Sequence, residues 1–361
     1  MEILEINYVN FRNLNNGNVK FFPDLNLFFG KNGQGKTSLL EAIYFGSAGQ
    51  SFRTRKIQDM VKYEQNKMGI YILFKDNISE KSLTVKFTDG KKEFFYNNKK
   101  VSQDEFYGRL NIVTYIPEDI VLITGSPATR RSFFDGEISQ TNGEYLKDLR
   151  NYNKILKVRN KYLKEKKTER KEFSIYEEQF VYYGAKIIAK RLEYISKISI
   201  LLNLNYRKLF DDKKELELNY SSEMELDRKM NLEEIMDSFR KRIKRRFSME
   251  KRYGFSLCGP QKDDFIVSLN GHEAKITASQ GEKKSIVFAL KLSEIDMIIR
   301  DRGENPILII DDVSSYFDKD RKRSVLEYLK RRKLQVLISS TEGLGIESKN
   351  YYVKSGDISY E

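Results

Sequence analysis

The segment Gly30-Lys31-Asn32-Gly33-Gln34-Gly35-Lys36-Thr37 is the most informative stretch of this chain. It matches the phosphate-binding pattern G-x-x-x-x-G-K-[ST] at every fixed position. A short apolar run, Leu25 to Phe29, precedes it, and a segment of helical character, Leu39 to Phe45, follows it. In this order of strand, loop and helix, glycine N–H groups and the positive end of the helix converge on phosphate oxygens. The sequence therefore predicts a nucleotide-binding P-loop.

The same motif predicts roles for individual side chains. Lys36 is expected to contact the β- and γ-phosphates and to support catalysis, and the Thr37 hydroxyl is expected to bind Mg²⁺. The predicted nucleotide-binding residues of this segment are Gly30, Lys31, Asn32, Gly33, Gln34, Gly35, Lys36, Thr37 and Ser38. A glycine-rich turn that arises by chance would not explain the strand and helix on either side.

An acidic pair lies far along the chain, directly after the apolar run Ile307 to Ile310. A P-loop needs a carboxylate to hold Mg²⁺, and Asp311, at the end of this predicted buried strand, is the expected metal partner. Asp312 is the candidate for orienting and polarising the attacking water. Taken alone, the pair is equally compatible with a structural role, and the flanking segments distinguish the two interpretations.

Three flanking segments complete a series of motifs. Ser279-Gln280-Gly281-Glu282 begins a predicted helix, where a serine and a glycine can ligate a phosphate. Asp318 follows Asp311 by seven residues, in the segment Ser314-Ser315-Tyr316-Phe317-Asp318. A predicted strand from Gln335 to Ser340 then ends at Thr341. The acidic pair is therefore interpreted as part of a composite nucleotide site.

Composition limits the other possibilities. The chain has 361 residues, enough for two domains, and 65 Lys and Arg against 52 Asp and Glu give a net charge of +13. This surplus favours a polyanionic partner, although a lysine-rich solvated surface explains it equally well. The single cysteine, Cys258, excludes an intramolecular disulfide, and the single histidine, His272, argues against histidine-based catalysis.

The N-terminal residues Met1 to Asn10 alternate like a strand rather than a signal peptide. No apolar run approaches the ~20 residues that a membrane helix needs. We therefore expect a soluble, cytoplasmic protein without a membrane partner.

Secondary-structure signals divide the chain into three parts. Residues 1–122 alternate predicted strands with hairpin turns such as Asp89-Gly90. Residues 123–253 are mainly helical, with two predicted helices of roughly 20–30 residues between Tyr145 and Leu202 that fold back on each other. Residues 254–361 return to mixed strands and helices. The predicted fold class is α/β with a helical insertion domain.

The series of motifs resembles the head of ABC-type ATPases, in the order Walker A loop, signature, Walker B strand, D-loop and switch residue. The long gap between Lys36 and Ser279 resembles the SMC-like branch of these P-loop NTPases, and within that branch the chain is similar to the RecF family. The segments that carry this similarity are Asn10-Phe11-Arg12-Asn13, Gly30 to Thr37, Ser51-Phe52-Arg53-Thr54, Pro117-Glu118-Asp119, Arg130-Arg131-Ser132-Phe133-Phe134-Asp135, Gly259-Pro260, Asp263-Asp264, Ser279-Gln280-Gly281 and Asp311-Asp312-Val313.

The resemblance implies ATP and Mg²⁺ as cofactors and an ATP-dependent homodimer. Ser279 and Gly281 of one copy would contact the nucleotide bound by the other, and Arg12 is implied as a further nucleotide contact. The implied activity is weak, DNA-stimulated ATP hydrolysis in recombinational repair and replication. The dimer would clamp duplex DNA or a junction of single and double strands without sequence preference, and would work with RecR, RecO and RecA.

The chain departs from the family pattern at several positions. Glu282 stands where glutamine is usual and adds a negative charge near the phosphate, for which Lys283 and Lys284 are the neighbouring counterions. Gln261 and Lys262 replace a common His-Arg pair. Asp312 stands where ABC heads generally have glutamate, although aspartate is usual in the RecF family, and its shorter reach suggests slow hydrolysis. Between Asn111 and Arg131 there is no glutamine that could mark a Q-loop.

Basic clusters are candidates for the DNA path. The candidate DNA-binding residues are Arg53, Arg55 and Lys56 after the P-loop helix, and Lys241, Arg242, Lys244, Arg245 and Arg246 in the densest cluster. Each cluster is also compatible with a solvated surface. The alternative to an ATPase clamp is a DNA-binding scaffold with a vestigial nucleotide site, or another SMC-like ABC ATPase.

Overall fold

The computed structural model describes residues 1–227, 229–313, 319–343, 345 and 347–360. The chain forms two compact units, one from Met1–Asp119 with Lys291–Glu361 and one from Ile120–Leu290. The first division lies close to the boundary predicted after residue 122. The second lies after residue 290 rather than after residue 253, because the strand Asp264–Leu269 pairs with the strand Leu216–Ser221 inside the second unit.

The described strands are short and follow the chain in this order: β1 (Glu2–Val9), β2 (Gly17–Lys20), β3 (Leu25–Phe29), β4 (Lys67–Lys75), β5 (Glu80–Thr88), β6 (Lys91–Tyr96), β7 (Lys99–Val101), β8 (Ile112–Tyr115), β9 (Leu216–Ser221), β10 (Asp264–Leu269), β11 (His272–Glu273), β12 (Ile307–Ile310), β13 (Val336–Ser340), β14 (Lys349–Lys354) and β15 (Asp357–Tyr360).

The described α-helices include the longest elements of the chain: α1 (Lys36–Ala48), α2 (Gln103–Phe106), α3 (Val121–Thr124), α4 (Pro127–Thr141), α5 (Gly143–Lys164), α6 (Lys171–Leu209), α7 (Leu232–Tyr253), α8 (Ala274–Thr277), α9 (Gln280–Arg302) and α10 (Lys319–Arg331). Within the described residues, every helix is too short or too polar to span a bilayer.

A mostly parallel sheet organises the first unit, in the order β15-β14-β3-β13-β12-β8. β8, β12, β13, β3 and β14 run parallel, and β15 is antiparallel to β14. Strands β12 and β13 are buried at every position, as expected for a sheet covered on both faces. The carboxyl ends of β3, β12 and β13 therefore meet at one edge.

A second sheet of this unit is antiparallel, in the order β2-β1-β4-β5-β6-β7. In β4 buried and less buried residues alternate, so one face carries the apolar side chains. Helix α1 packs on β4 and β5 of this sheet and on β13 of the first. Gly46 of α1 lies against Ile70 and Ile72, where a Cβ atom would come within 2.6 Å of the Ile72 side chain.

The second unit is largely helical. Helices α5 and α6 fold back on each other through the turn at residues 165–170, as the sequence predicts, and α7 packs on both. Helix α6 is longer than predicted, with 39 residues. A small antiparallel sheet, β11-β10-β9, lies against α4 and α6.

Buried ion pairs tie the second unit together. The fully buried Arg159 donates to Glu250 at 2.7 Å and to Glu177 at 2.9 Å. Arg130 makes a bidentate ion pair with Asp264, with hydrogen bonds of 2.8 and 2.6 Å. Because an unpaired charge in such a position is strongly unfavourable, these pairs fix how the helices and strands of the unit meet.

A substitution at Gly184 tests how closely α6 packs against α7 and α5. A Cβ atom there would lie 2.5 Å from a Phe239 ring carbon and 3.1 Å from Tyr152. We expect Gly184→Ala to lower the free energy of unfolding by about 1–3 kcal/mol, because overpacking outweighs the better helix propensity of alanine. Urea denaturation of the full chain measures this change.

The matched control is Gly136→Ala on α4, where an added Cβ meets nothing within 4 Å. The free energy of unfolding of this variant should increase by about 0.5–1 kcal/mol, because alanine has a higher helix propensity than glycine. Equal effects of the two substitutions would contradict the packing described for α6 and α7.

Candidate nucleotide-binding site

The loop between β3 and α1 has the conformation of a P-loop. Gly33 has φ 78°, which strongly favours glycine, and an added Cβ would meet nothing within 4 Å. Gly30, with φ 150°, passes so close to β14 that a Cβ would lie 2.3 Å from the Val353 carbonyl oxygen. The glycines of the motif are therefore required both for the turn and for close packing against the sheet.

Lys36 points into this loop. Its Nζ donates to the carbonyl oxygens of Gly30 at 2.6 Å and Lys31 at 2.9 Å. Burial lowers the pKa of Lys36, and the nearby carboxylates of Asp312 and Asp311 partly oppose this effect. An anionic phosphate in the loop would stabilise the charged ammonium, so the lysine fits the role predicted from the motif.

The predicted metal partners lie next to each other although 274 residues separate them. The Thr37 hydroxyl donates to Asp311 Oδ1 at 3.0 Å, and the Ser339 hydroxyl donates to the same oxygen at 2.5 Å. Burial raises the pKa of Asp311, while these two hydrogen bonds oppose the rise. A carboxylate and a hydroxyl at this separation are hard oxygen ligands, and they fit a Mg²⁺ ion.

Asp312 is held in the left-handed region, with φ 53°. Its backbone N–H donates to Ser339 Oγ at 2.8 Å, so Ser339 contacts both aspartates of the pair. Asp312 lines the same pocket as Lys36. This geometry is compatible with the predicted role in orienting water.

A buried glutamate organises the outer wall of the pocket. Glu41 on α1 is fully buried and accepts from Arg12 at 2.9 and 2.7 Å, from Arg53 at 3.2 Å and from Ser51 at 2.5 Å. Arg12 also donates to the Asp59 carbonyl oxygen at 2.5 Å. Two arginines thus converge on one carboxylate, which places positive charge beside the P-loop.

These residues surround one pocket of about 950 Å³ within the first unit. Its lining includes Arg12, Asn13, Asn32, Gly33, Gly35, Lys36, Thr37, Ser38, Arg53, Pro117, Asp311, Asp312 and Ser339. The structure thus brings together most of the residues predicted to bind nucleotide within one copy. Arg53, predicted for DNA contact, lies in this pocket.

Gln34 and Ser38 have roles within the loop. Gln34 accepts the Ser355 N–H at 2.7 Å through its side chain, which ties the loop to the turn between β14 and β15. The Ser38 hydroxyl donates to Asn13 at 2.7 Å, and the Asn13 amide donates to the Gly33 carbonyl oxygen at 3.2 Å. Asn13 therefore clamps the loop from outside.

The sequence motifs do not predict the hydrogen bonds that three residues of the site make, namely Ser339, Glu41 and Asn13. Ser339, Glu41 and Asn13 act through hydrogen bonds to residues distant in sequence. Asn13 lies in a segment that resembles the RecF family, and Ser339 lies in the predicted strand, but neither residue type indicates its partner. A buried glutamate one turn beyond Thr37 carries no sequence signal for its two arginines.

The remaining predicted residues lie elsewhere. Ser279 and Gly281 belong to the second unit and are exposed at the start of α9. The predicted D-loop, Ser314 to Asp318, lies outside the described residues.

The basic cluster of α7 is partly neutralised by nearby acids. Arg242 and Arg246 both pair with Glu223, and Arg245 lies 3.5 Å from Glu225. Lys241 and Lys244 are exposed, as are Arg55 and Lys56 of the first unit. The DNA contacts of all these residues stay a prediction.

The fold and the pocket define the class of protein. A P-loop on a parallel sheet, a carboxylate on a neighbouring strand, an antiparallel second sheet and a helical unit inserted between the two sequence halves are the features of an ABC-type ATPase head of the SMC-like kind. The fold class predicted from the motifs is therefore confirmed.

Comparison with known proteins establishes the family. The RecF/RecN/SMC N terminal domain model matches residues 2–354. DNA replication and repair protein RecF of Alkaliphilus oremlandii is 36% identical over 343 residues, covering 94% of this chain and 93% of that protein. RecF of Clostridium beijerinckii is 33% identical over 355 residues, covering 98% and 94%. The chain belongs to the RecF family.

Solved structures agree with this assignment. The recombination mediator protein RecF with ATP, from the RecFOR pathway, superposes with a TM-score of 0.93 at 30% identity, covering 100% of this chain and 97% of that one. An SMC head bound to the C-winged helix domain of ScpA reaches 0.58 at 16% identity, covering 100% and 97%, and shares the fold.

Ser339→Ala tests the arrangement of the two aspartates. The substitution removes a hydrogen bond to Asp311 and the acceptor of the Asp312 N–H. Because partners of this kind orient metal ligands, we expect Mg²⁺-dependent nucleotide binding to weaken about 10–100-fold. Titration of a fluorescent nucleotide at several Mg²⁺ concentrations measures it. Ser359→Ala, an exposed serine of the same unit, should bind like the parent protein; loss in both variants would argue against a specific role of Ser339.

Proposed function

We propose that this protein is an ATP-dependent DNA-binding ATPase of recombinational repair and replication. The observation that carries the proposal is the convergence of Lys36, Thr37, Asp311 and Asp312 on one pocket. A vestigial site would not need the buried Asp311 carboxylate, which is costly to desolvate and is retained next to the P-loop. The RecF family membership supports the biological setting.

In this proposal the residues predicted from the motifs divide the tasks of binding the triphosphate, holding Mg²⁺ and orienting water. The N–H groups from Gly30 to Ser38 and the Lys36 ammonium bind the triphosphate, and Arg12 adds a further positive charge. Thr37 and Asp311 hold Mg²⁺, which when bound neutralises phosphate charge. Asp312 orients the attacking water and accepts its proton. The short side chain of Asp312 makes hydrolysis slow.

ATP acts as a bridge between two copies. The exposed Ser279 and Gly281 of one copy contact the triphosphate held by the pocket of the other. Two surfaces that associate weakly are joined while ATP is intact and separate after hydrolysis. The solved RecF with ATP supports ATP as the ligand.

The dimer clamps duplex or gapped DNA through backbone contacts, and DNA stimulates ATP turnover. Exposed cations such as Lys241, Lys244, Arg55 and Lys56 supply contacts that carry no sequence information. By family membership the protein acts in the cytoplasm with RecR and RecO to load RecA.

Two substitutions separate nucleotide binding from turnover. Lys36→Ala should abolish ATP binding, because it removes the ammonium inside the loop. Asp312→Ala should bind ATP and dimerise but lose turnover. Light scattering with and without ATP, together with phosphate release, distinguishes these outcomes.

Lys20→Ala is the charge-matched control, since Lys20 has an exposed side chain on β2 of the same unit and lies outside the pocket lining. It should retain ATP binding. An Asp312→Ala protein that stays monomeric in saturating ATP would contradict the clamp, and unchanged turnover would contradict the role of Asp312.

The α7 cluster tests the DNA contact. Replacing Lys241, Lys244 and Arg245 by alanine should weaken ATP-dependent binding of duplex and gapped DNA. The plot of log affinity against log salt should also become less steep, by roughly one unit of slope per lost phosphate contact. A fluorescence anisotropy titration over a range of salt concentrations measures both.

The charge-matched control replaces Lys147, Lys154 and Lys157, three exposed lysines of α5. It should leave affinity and slope nearly unchanged. Equal losses in the two triple variants would show a general charge effect rather than a contact by α7.

A further inference from the structure

A carboxylate occupies the start of α9, where the proposed function requires an anion to bind. Glu282 accepts the Ser279 N–H at 2.7 Å, and its own N–H donates to Ser279 Oγ at 3.3 Å. This reciprocal capping box fixes the first turn of the helix and the position of the charge. A negative charge beside Ser279 and Gly281 would repel a triphosphate unless a cation neutralises it.

The cation at this carboxylate is Lys214, which is distant in sequence. Lys214 donates to Glu282 Oε1. The hydrogen bond from Lys214 is the largest cause that lowers the pKa of Glu282 to about 2, so the glutamate is ionised at neutral pH and Lys214 is its counterion. Lys283, a counterion suggested by sequence proximity, is itself buried.

The segment that carries Lys214 is anchored within the second unit. Glu215 and Asn270 exchange hydrogen bonds, since the Glu215 N–H donates to the Asn270 side chain at 2.9 Å and the Asn270 N–H donates to the Glu215 carbonyl oxygen at 2.8 Å. Asp211 also lies 3.6 Å from Lys214. These contacts hold the backbone that carries Lys214 next to the signature.

We propose that Lys214 is a positioning residue of the signature, which neutralises Glu282 and so allows Ser279 and Gly281 of one copy to accept the triphosphate bound by the other. This inference rests on the proposed ATP-dependent dimer. It assigns to a residue outside the nucleotide-binding motifs the compensation for a glutamate at a position where glutamine is usual.

A double-mutant cycle in the full chain tests the proposal. The variants are Lys214→Ala, Glu282→Gln and the two combined, and the measurement is the monomer–dimer Kd in ATPγS and Mg²⁺ by analytical ultracentrifugation. Lys214→Ala should raise this Kd on the order of tenfold, because the carboxylate then faces the phosphate uncompensated. In the combined variant the charge is absent, and its Kd should lie within about threefold of Glu282→Gln alone.

Two further variants separate charge from structure. Lys213→Ala removes the same charge from the neighbouring exposed position and should dimerise like the parent protein. Lys214→Arg should retain dimerisation. Nucleotide binding by the dilute monomer should be the same in all variants, because the pocket belongs to the first unit.

The outcomes distinguish this inference from the function on which it rests. Equal Kd values for Lys214→Ala and Lys213→Ala, or failure of Glu282→Gln to rescue Lys214→Ala, would overturn the role of Lys214 and leave the ATP-dependent dimer standing. A parent protein that stays monomeric in ATPγS would overturn both.

Discussion

The hydrogen bonds from Thr37 and Ser339 to one oxygen of Asp311 are the interaction on which the candidate site depends. They join the start of helix α1, which follows β3, to the ends of β12 and β13, and these three strands are neighbours in the sheet. Burying a carboxylate is unfavourable unless hydrogen bonds compensate for its lost hydration, and the two hydroxyls supply that compensation. The sheet order thus creates a site with a retained negative charge next to a P-loop rich in positive charge.

Around this centre, Glu41 plays the complementary part for the cations. A single buried carboxylate draws Arg12 and Arg53 to the pocket wall from segments on either side of it in sequence. The carboxylate is fully buried, whereas the two arginines are partly exposed and line the pocket. The pocket therefore faces their positive charge. The orientation of Arg53 is therefore set by its ion pair with Glu41 beside the nucleotide site.

The parts of the site that the sequence predicts are those that need unusual residues. A P-loop needs glycine at Gly33, where φ is positive, so its pattern is visible without a structure. Ser339 and Lys214 are common residue types whose function comes from a partner far along the chain, and no spacing reveals such a pair. The second division between the units differs from the one that periodicity predicts for the same reason: the pairing of β9 with β10 is long-range, and local periodicity does not reveal it.

The segments that resemble the RecF family divide into two kinds once their contacts are known. Those of the first unit surround the pocket. In the second unit, Arg130 pairs with Asp264, and Arg191 pairs with Asp135 and donates to the Pro260 carbonyl oxygen at 2.7 Å. Nearby, burial raises the pKa of Asp263 to about 6, and Tyr220 donates to it at 2.5 Å. Because these motif residues are engaged in internal ion pairs and hydrogen bonds, they support the second unit.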